Sequence, residues 1–285
     1  MNSRVLYNGM LLPIIGAGTY PYKETLVESI PYMADAGFIL FDSSDNYGNE
    51  ESLGKVISRL PDSTKDSFIV ISKYSNPLIS VKDAFELSSS KLKRRPDVYL
   101  MHWPFPNLWE LRWMEMEDLY RKGFCKAIGV CNFTGDYIKQ LLSVCKIKPM
   151  INQFECHPMF QQLETQDFCK SEGIQIMSYS PLARMNEVLY NNEVLKNIAQ
   201  KKGATISQVI LAWNIEEGRI PIPASDKQEH IIENYNSCNL VLTNDELKEI
   251  DSLESGMRVR YNPDTRFDYR QKLSFLIKKI SILLK

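Results

Sequence analysis

No stretch of this 285-residue chain approaches the roughly 18 to 20 consecutive apolar residues that a bilayer-spanning helix requires. Neither charge sign dominates. Lys and Arg number 34 against 35 Asp and Glu, a net charge of -1 spread evenly along the chain, which leaves no basic stripe for nucleic acid. Histidine occurs only three times, and the six cysteines show neither C-x-x-C pairing nor the spacing of metal ligands. No metal site is expected, and the cysteines read as reduced, mostly buried thiols. Residues 1–20 lack a charged start, an apolar run and a small-residue cleavage site, so a cytoplasmic chain is expected. Gly16 and Gly18 have no third glycine and no helix behind them, which excludes the dinucleotide fingerprint of a Rossmann unit.

What the chain does have is alternation. Short apolar runs at residues 14–18, 38–42, 68–73, 98–102, 127–131, 150–155, 174–179 and 220–222 read as strands buried on both faces. Between them lie helix-like stretches at 24–36, 81–93, 109–122, 135–144, 163–171, 207–216 and 229–234. Gly37, Gly123, Gly173 and Gly218 fall where such helices should stop. The pattern predicts one (β/α)8 barrel, a fold that commonly uses about 250 residues as a single domain. Residues 5–12, turning on Asn8-Gly9, predict a β-hairpin that plugs the amino-terminal mouth. The barrel should occupy residues 1–267, followed by an amphipathic helical tail at 268–285.

Several of these strands end on a polar residue. Asp42 closes one, with Tyr47 just beyond it; Lys73 closes the next, and His102 the one after. A β/α barrel gathers its chemistry at the carboxyl ends of its strands. A carboxylate, a phenol, an ammonium and an imidazole delivered there suit proton transfer to a carbonyl oxygen, so an enzyme is expected. Each residue alone has an ordinary reading: a loop aromatic, a helix cap, a snorkelling charge, a satisfied core histidine.

The longer motifs decide between these readings. Gly16-Ala-Gly-Thr19, Asp42 to Glu50, Leu100-Met-His-Trp-Pro104, Ala127-Ile-Gly-Val-Cys-Asn-Phe133, Asn152-Gln-Phe-Glu-Cys-His-Pro158, Ser178-Tyr-Ser-Pro-Leu182 and Ile220-Pro-Ile-Pro-Ala-Ser225 follow one another at barrel-sized gaps. In this the chain resembles the aldo-keto reductase family over nearly its whole length. The resemblance implies an NAD(P)H-dependent oxidoreductase that reduces aldehydes, ketones or open-chain sugars, a small carbonyl substrate, and NADPH or NADH as cofactor. It makes Tyr47 the proton donor, which Lys73 should turn into a better acid by stabilising the phenolate. Asp42 would compensate the buried ammonium, and His102 would hydrogen-bond the substrate oxygen.

The same resemblance implies cofactor contacts. Gly18, Thr19 and Asp42 lie at its edge, Cys131, Asn132 and Gln153 face the carboxamide, and Tyr179 stacks on the nicotinamide ring. Ser180 and Leu182 match the pyrophosphate loop, Ser225 and His230 the region of the 2′-phosphate, and Glu233 and Asn234 the adenine. Tyr20, Tyr47, His102 and Trp103 should bound the substrate, with Tyr74 a further candidate wall. Trp109 reads as a helix-start packing residue.

Certain departures are informative. Cys131 stands where the family commonly has Ser, a weaker donor to the carboxamide. Many relatives that prefer the phosphorylated cofactor carry Lys at the position of Ala224 and Arg at that of His230; with Asp226 between them, discrimination for the 2′-phosphate should be weak. Ser75 replaces an aromatic, and the connection from Pro104 to Trp109 is short, so an open pocket is expected. In the tail, Leu273, Leu276, Ile277, Ile280, Leu283 and Leu284 recur at helical spacing among basic residues. Packing of this stripe on the barrel is expected; a weak homodimer contact or membrane association is the lesser alternative, the chain otherwise being monomeric. A competing function is a redox-sensing or scaffold subunit that binds nicotinamide cofactor but turns over little.

Overall fold

The computed structural model describes residues 3–22 and 24–284. Strands β1 (Ser3–Val5) and β2 (Leu11–Pro13) pair antiparallel, with Val5 opposite Leu11. The turn between them closes through Leu6 N–H to Met10 O and Gly9 N–H to Leu6 O, with Gly9 at φ 87°, a conformation that costs glycine little. This is the hairpin expected from Asn8-Gly9. Leu6 and Leu12 share a buried cluster with Leu40, Ile71, Val98, Leu100, Ile151, Met177 and Ile220, which fill the barrel interior. The hairpin is therefore the barrel's floor, and burial of each leucine contributes about 1.5–3 kcal/mol.

Eight parallel strands follow: β3 (Ala17–Gly18), β4 (Leu40–Asp42), β5 (Ile69–Tyr74), β6 (Val98–Met101), β7 (Ala127–Cys131), β8 (Ile151–Glu155), β9 (Gln175–Tyr179) and β10 (Ile220–Ile222). Each pairs with its sequence neighbour. The ring closes where Gly16 N–H and Gly18 N–H donate to Pro221 O and Pro223 O. A Cβ on Gly18 would lie 3.0 Å from Ile222 O, so this seam depends on glycine.

The helices are α1 (Leu26–Ala36), α2 (Glu50–Ile57), α3 (Asp62–Lys65), α4 (Val81–Leu92), α5 (Trp109–Arg121), α6 (Asp136–Val144), α7 (Leu163–Ser171), α8 (Glu187–Tyr190), α9 (Glu193–Lys202), α10 (Ile206–Glu216), α11 (Gln228–Asn236), α12 (Asn244–Asp251) and α13 (Tyr269–Leu283). They pack their apolar faces on the outside of the strands in two further buried clusters. Where the chain leaves α1, Gly37 sits at φ 111° and its N–H caps Ala34 O, as the sequence pattern requires.

The tail folds as a helix but not with the expected face inward. Leu273, Leu276, Ile277, Ile280, Leu283 and Leu284 are all exposed. The face turned to the barrel carries Phe275, buried against Phe105 and Phe267 at ring separations of 6.1 and 5.4 Å, and Ile282 seven residues on. The reason lies in the period: Phe275 and Ile282 form a row opposite the leucine-isoleucine stripe, and one large aromatic fills the available hollow. No helix among the described residues is long and apolar enough to cross a membrane.

Candidate active site

The register of the sheet brings the strand-end polar groups together. Asp42 pairs with Ile71 across β4 and β5, so Lys73 emerges two residues further on, beside it. Lys73 Nζ donates to Asp42 Oδ2 at 2.6 Å, to Ser43 O at 2.8 Å and to Tyr47 Oη at 3.2 Å. All three donor directions of this fully buried ammonium are used. Burial opposes the charge on Lys73, yet Asp42 and Tyr47 outweigh it and raise the ammonium's pKa. Burial pushes the Tyr47 phenol up to about 12, with Lys73 the largest opposing influence. The cation thus acts on the phenol in the expected direction, but removal from water and the Asp42 charge outweigh it. Tyr47 is a protonated donor.

His102 leaves the end of β6 stacked on Trp103, with ring centroids 5.8 Å apart. Its Nδ1 lies 2.7 Å from Ser75 Oγ and 3.1 Å from Ser44 Oγ. Ser44 donates to Asn46 Oδ1 at 2.9 Å, leaving the Ser75 hydroxyl free to donate to Nδ1. With the Ser75 hydroxyl donated to Nδ1, the proton of the ring sits on Nε2, the nitrogen left for a ligand. Burial, with the positive charges of Lys73, Arg266 and Arg260, holds the imidazole pKa well below its usual value, so the ring is neutral. Ser44 and Ser75 each stand two residues beyond a strand-end charge, Asp42 and Lys73. That spacing, which returns a side chain to the same side of an extended chain, was the available signal for them.

These groups open onto a cavity of about 530 Å³ lined by Gly18, Tyr20, Asp42, Tyr47, His102 and Trp103 on one side. Asn132, Gln153, Tyr179, Ser180, Leu182 and Ala224 line the other. Gln153 Nε2 donates to Asp42 Oδ1 at 2.8 Å, and Asn132 Nδ2 to His102 O at 3.0 Å. Tyr179 Oη donates to Asn132 Oδ1 at 2.7 Å. Both amides keep an N–H and a lone pair to offer a ligand. The backbone is strained here: Asn132 (φ 65°), Ser180 (φ 47°) and Arg184 (φ 55°) all adopt left-handed conformations.

Other expected site residues lie apart from this cavity. Thr19 is fully buried and occupied, its hydroxyl donating to Asp42 O at 2.9 Å and accepting from Asn49 Nδ2 at 2.9 Å. Cys131 points into the barrel interior, its Sγ 3.8 Å from Gln153 Oε1. Ser225 folds back to accept from Lys227 N–H at 3.2 Å, beneath the start of α11. Further along α11, Glu233 accepts from the Thr205 hydroxyl at 2.5 Å, Asn234 is buried, and His230 is exposed on the first turn. Tyr74 is no pocket wall: it is fully buried and donates to Ile79 O. Trp109 packs edge-on against Phe133, as a helix-start residue.

The wall that the short 104–109 connection leaves open is supplied by Arg260, Tyr261 and Arg266, from the segment before α13. All six cysteines are free, and among the described residues no cluster of His, Cys, Asp or Glu is placed to hold a metal.

The Aldo/keto reductase family model matches residues 14–255. Glyoxal reductase of Bacillus subtilis (strain 168) is 36% identical over 264 residues, covering 91% of this chain and 95% of that protein. Methylglyoxal reductase DkgA of Escherichia coli O157:H7 is 32% identical over 263 residues, covering 91% and 96%. Among solved structures, the aldo-keto reductase enzyme MGS-M4 from a Medee basin deep-sea metagenome library superposes with a TM-score of 0.88 at 32% identity, covering 94% of this chain and 100% of that one. Bombyx mori aldo-keto reductase AKR2E4, solved in complex with NADP, gives 0.85 at 26% identity, with coverages of 92% and 96%.

Proposed function

This chain belongs to the aldo/keto reductase family, and on that premise we propose that it is an NAD(P)H-dependent carbonyl reductase. It converts small aldehydes or ketones to alcohols, with Tyr47 as the proton donor. Dicarbonyls of the kind named for the glyoxal and methylglyoxal reductases, and open-chain sugars, are the substrate classes to try first. The observation that carries the reading is the phenol of Tyr47 held 3.2 Å from Lys73 Nζ beside a neutral imidazole, on the wall of a cavity.

A reduced nicotinamide, when bound, supplies the hydride. Tyr179 offers it a ring face, and the free amide capacity of Asn132 and Gln153 suits its carboxamide. The segment from Ser180 to Leu182, which opens on the left-handed Ser180, suits the pyrophosphate, with Arg184 beyond it. The chain's own part in the reaction is narrower. His102 Nε2–H fixes the substrate oxygen and Tyr47 Oη gives it a proton as negative charge develops. Lys73 stabilises the phenolate that remains, and Asp42 keeps the buried ammonium compensated.

Tyr47→Phe should lower carbonyl reduction roughly a hundred- to ten-thousand-fold while cofactor affinity, read by quenching of protein fluorescence, stays close to wild type. Full turnover in the variant would remove Tyr47 from this role. A wild-type protein that binds NADPH but oxidises it with no aldehyde in a broad panel would favour the redox-sensing subunit instead.

A further inference from the structure

Both arginines that are buried among the described residues are fully engaged. Arg112 donates to Pro77 O at 2.7 Å and pairs with Glu115, and Arg219 donates to Asn214 and Gln166 at 3.1 and 2.8 Å. Arg260 and Arg266, both half-buried, are the contrast. Among the described residues neither guanidinium meets a carboxylate or donates a hydrogen bond, and Arg266 Nε is buried with no partner at all. Their neighbour Arg258, by comparison, lies 3.9 Å from Glu155.

What holds the two in place is aromatic. Arg266 sits 5.4 Å from the Trp103 ring centroid and 4.9 Å from that of Tyr261; Arg260 sits 5.5 Å from Tyr20 and 5.7 Å from Tyr261. Stacking restrains a guanidinium while leaving its edge N–H groups free for a carboxylate or phosphate, which they meet in bidentate fashion. Trp103 is stacked on His102 and Tyr20 lies 5.0 Å from Tyr47, so each cation is one ring away from the carbonyl-binding pair. Both line the cavity.

We propose that Arg260 and Arg266 form an anion-recognition subsite in the substrate pocket, so that the preferred substrates carry a carboxylate or phosphate at the end remote from the carbonyl. This rests on the carbonyl-reductase reading and names its substrate class. In the reaction the hydride joins the carbonyl carbon and the Tyr47 proton its oxygen; the anionic group passes through unchanged and serves only to place the substrate.

The test compares kcat/KM for 4-carboxybenzaldehyde with that for its neutral isostere 4-carbamoylbenzaldehyde, and for glyceraldehyde 3-phosphate with glyceraldehyde. Wild type should favour the anionic member of at least one pair, by a margin that shrinks as NaCl is raised. The pair preferred tells carboxylate from phosphate. Charge-assisted hydrogen bonds account for roughly tenfold to a hundredfold each. Arg260→Gln and Arg266→Gln should therefore each collapse the anion-to-neutral ratio by about that factor, through KM more than kcat. Arg266→Lys, which keeps the charge but not the fork, should restore part of it.

A wild type that reduces the neutral aldehydes well and shows no anionic preference overturns this subsite and leaves the reductase reading standing. So do variants that lose both members of a pair equally, as loss of packing on Trp103 would cause. Variants whose KM rises for the cofactor rather than the aldehyde would assign the arginines to the nucleotide and overturn it likewise. Failure of wild type to reduce any of the aldehydes removes the premise and the subsite together.

Discussion

At the scale of single residues, the site is a set of protonation states fixed by burial and charge. Tyr47 keeps its proton up to about 12 and His102 stays neutral well below its usual range. The rate of carbonyl reduction should therefore show no ionisation between about pH 6.5 and 9. A sigmoid centred near the ordinary imidazole value of about 6.5 would show instead that His102 titrates in the working enzyme. Lys73→Met should reduce turnover about as severely as Tyr47→Phe, because it removes the stabilising cation and strands Asp42 as a buried uncompensated charge. Ser75 acts through His102, not on substrate. With Ser44 3.1 Å from the same nitrogen, Ser75→Ala alone should cost only a few-fold in kcat, and Ser44→Ala/Ser75→Ala on the order of tenfold. A double variant at the wild-type rate, with unaltered KM, would show that the tautomer of His102 needs no such support.

At the scale of elements, the proposed site for the cofactor's outer end is the start of α11. Ala224 stands at the seam beside Gly18, Asp226 lies close enough to Tyr22 to raise its pKa further after burial has done so, and His230 is exposed on the first turn. None of these is the Arg fork or Lys ammonium that a dianionic phosphate calls for. NADH should thus serve at least comparably to NADPH, and Ala224→Lys/His230→Arg should shift the kcat/KM ratio toward NADPH by tenfold or more. Strong discrimination against NADH by the unaltered protein would place a cation there that neither position supplies. The other end of the chain depends on one side chain. Phe275 packs on Phe105 and Phe267, Phe267 lies edge-on to Trp103 at 6.5 Å, and Trp103 stacks on His102. Phe275→Ala should cost about 3–5 kcal/mol if the site stays rigid, seen as a lower Tm, together with reduced carbonyl turnover. Unchanged melting after removal of residues 268–285 would mean that α13 only rests on the barrel. These elements also show what was legible in the sequence. The strands were, because burial on both faces writes them as unbroken apolar runs; β7 and β10 match their expected bounds and most others shift by one or two residues. Helix α2 was overlooked because its first residue, Glu50, closes the motif that begins at Asp42. Helix α9 carries its own sequence marks, an Asn192 cap and a Gly203 stop. The inward row of α13 was hidden by a longer, more apolar row that faces outward. Arg266 falls in Pro263-Asp-Thr-Arg-Phe267, where the resemblance fades, and no local pattern there or at Arg260 announces that the chain will return across the carboxyl face.

At the scale of the whole molecule, building a neutral imidazole into the barrel links folding to pH. His102 has a folded-state pKa well below its usual value, from burial first and then from Lys73, Arg266 and Arg260. In the unfolded chain the same ring titrates near 6.5. As pH falls through that value the unfolded state takes up a proton that the folded state refuses, so stability should decline by up to about 1.4 kcal/mol per pH unit. Two carboxyl groups near the same mouth work the other way. Burial raises both Asp45 and Glu50, so the folded state binds their protons more readily than the unfolded one and gains stability as the pH drops further. The difference between wild type and His102→Gln isolates the imidazole, because glutamine is neutral throughout and the carboxylates are common to both. Between pH 7.5 and 5.5 the Tm of wild type should fall by more than that of the variant. Parallel curves for the two proteins would show that His102 accepts its proton in the folded state, and would undo its assignment as a neutral donor to the substrate oxygen.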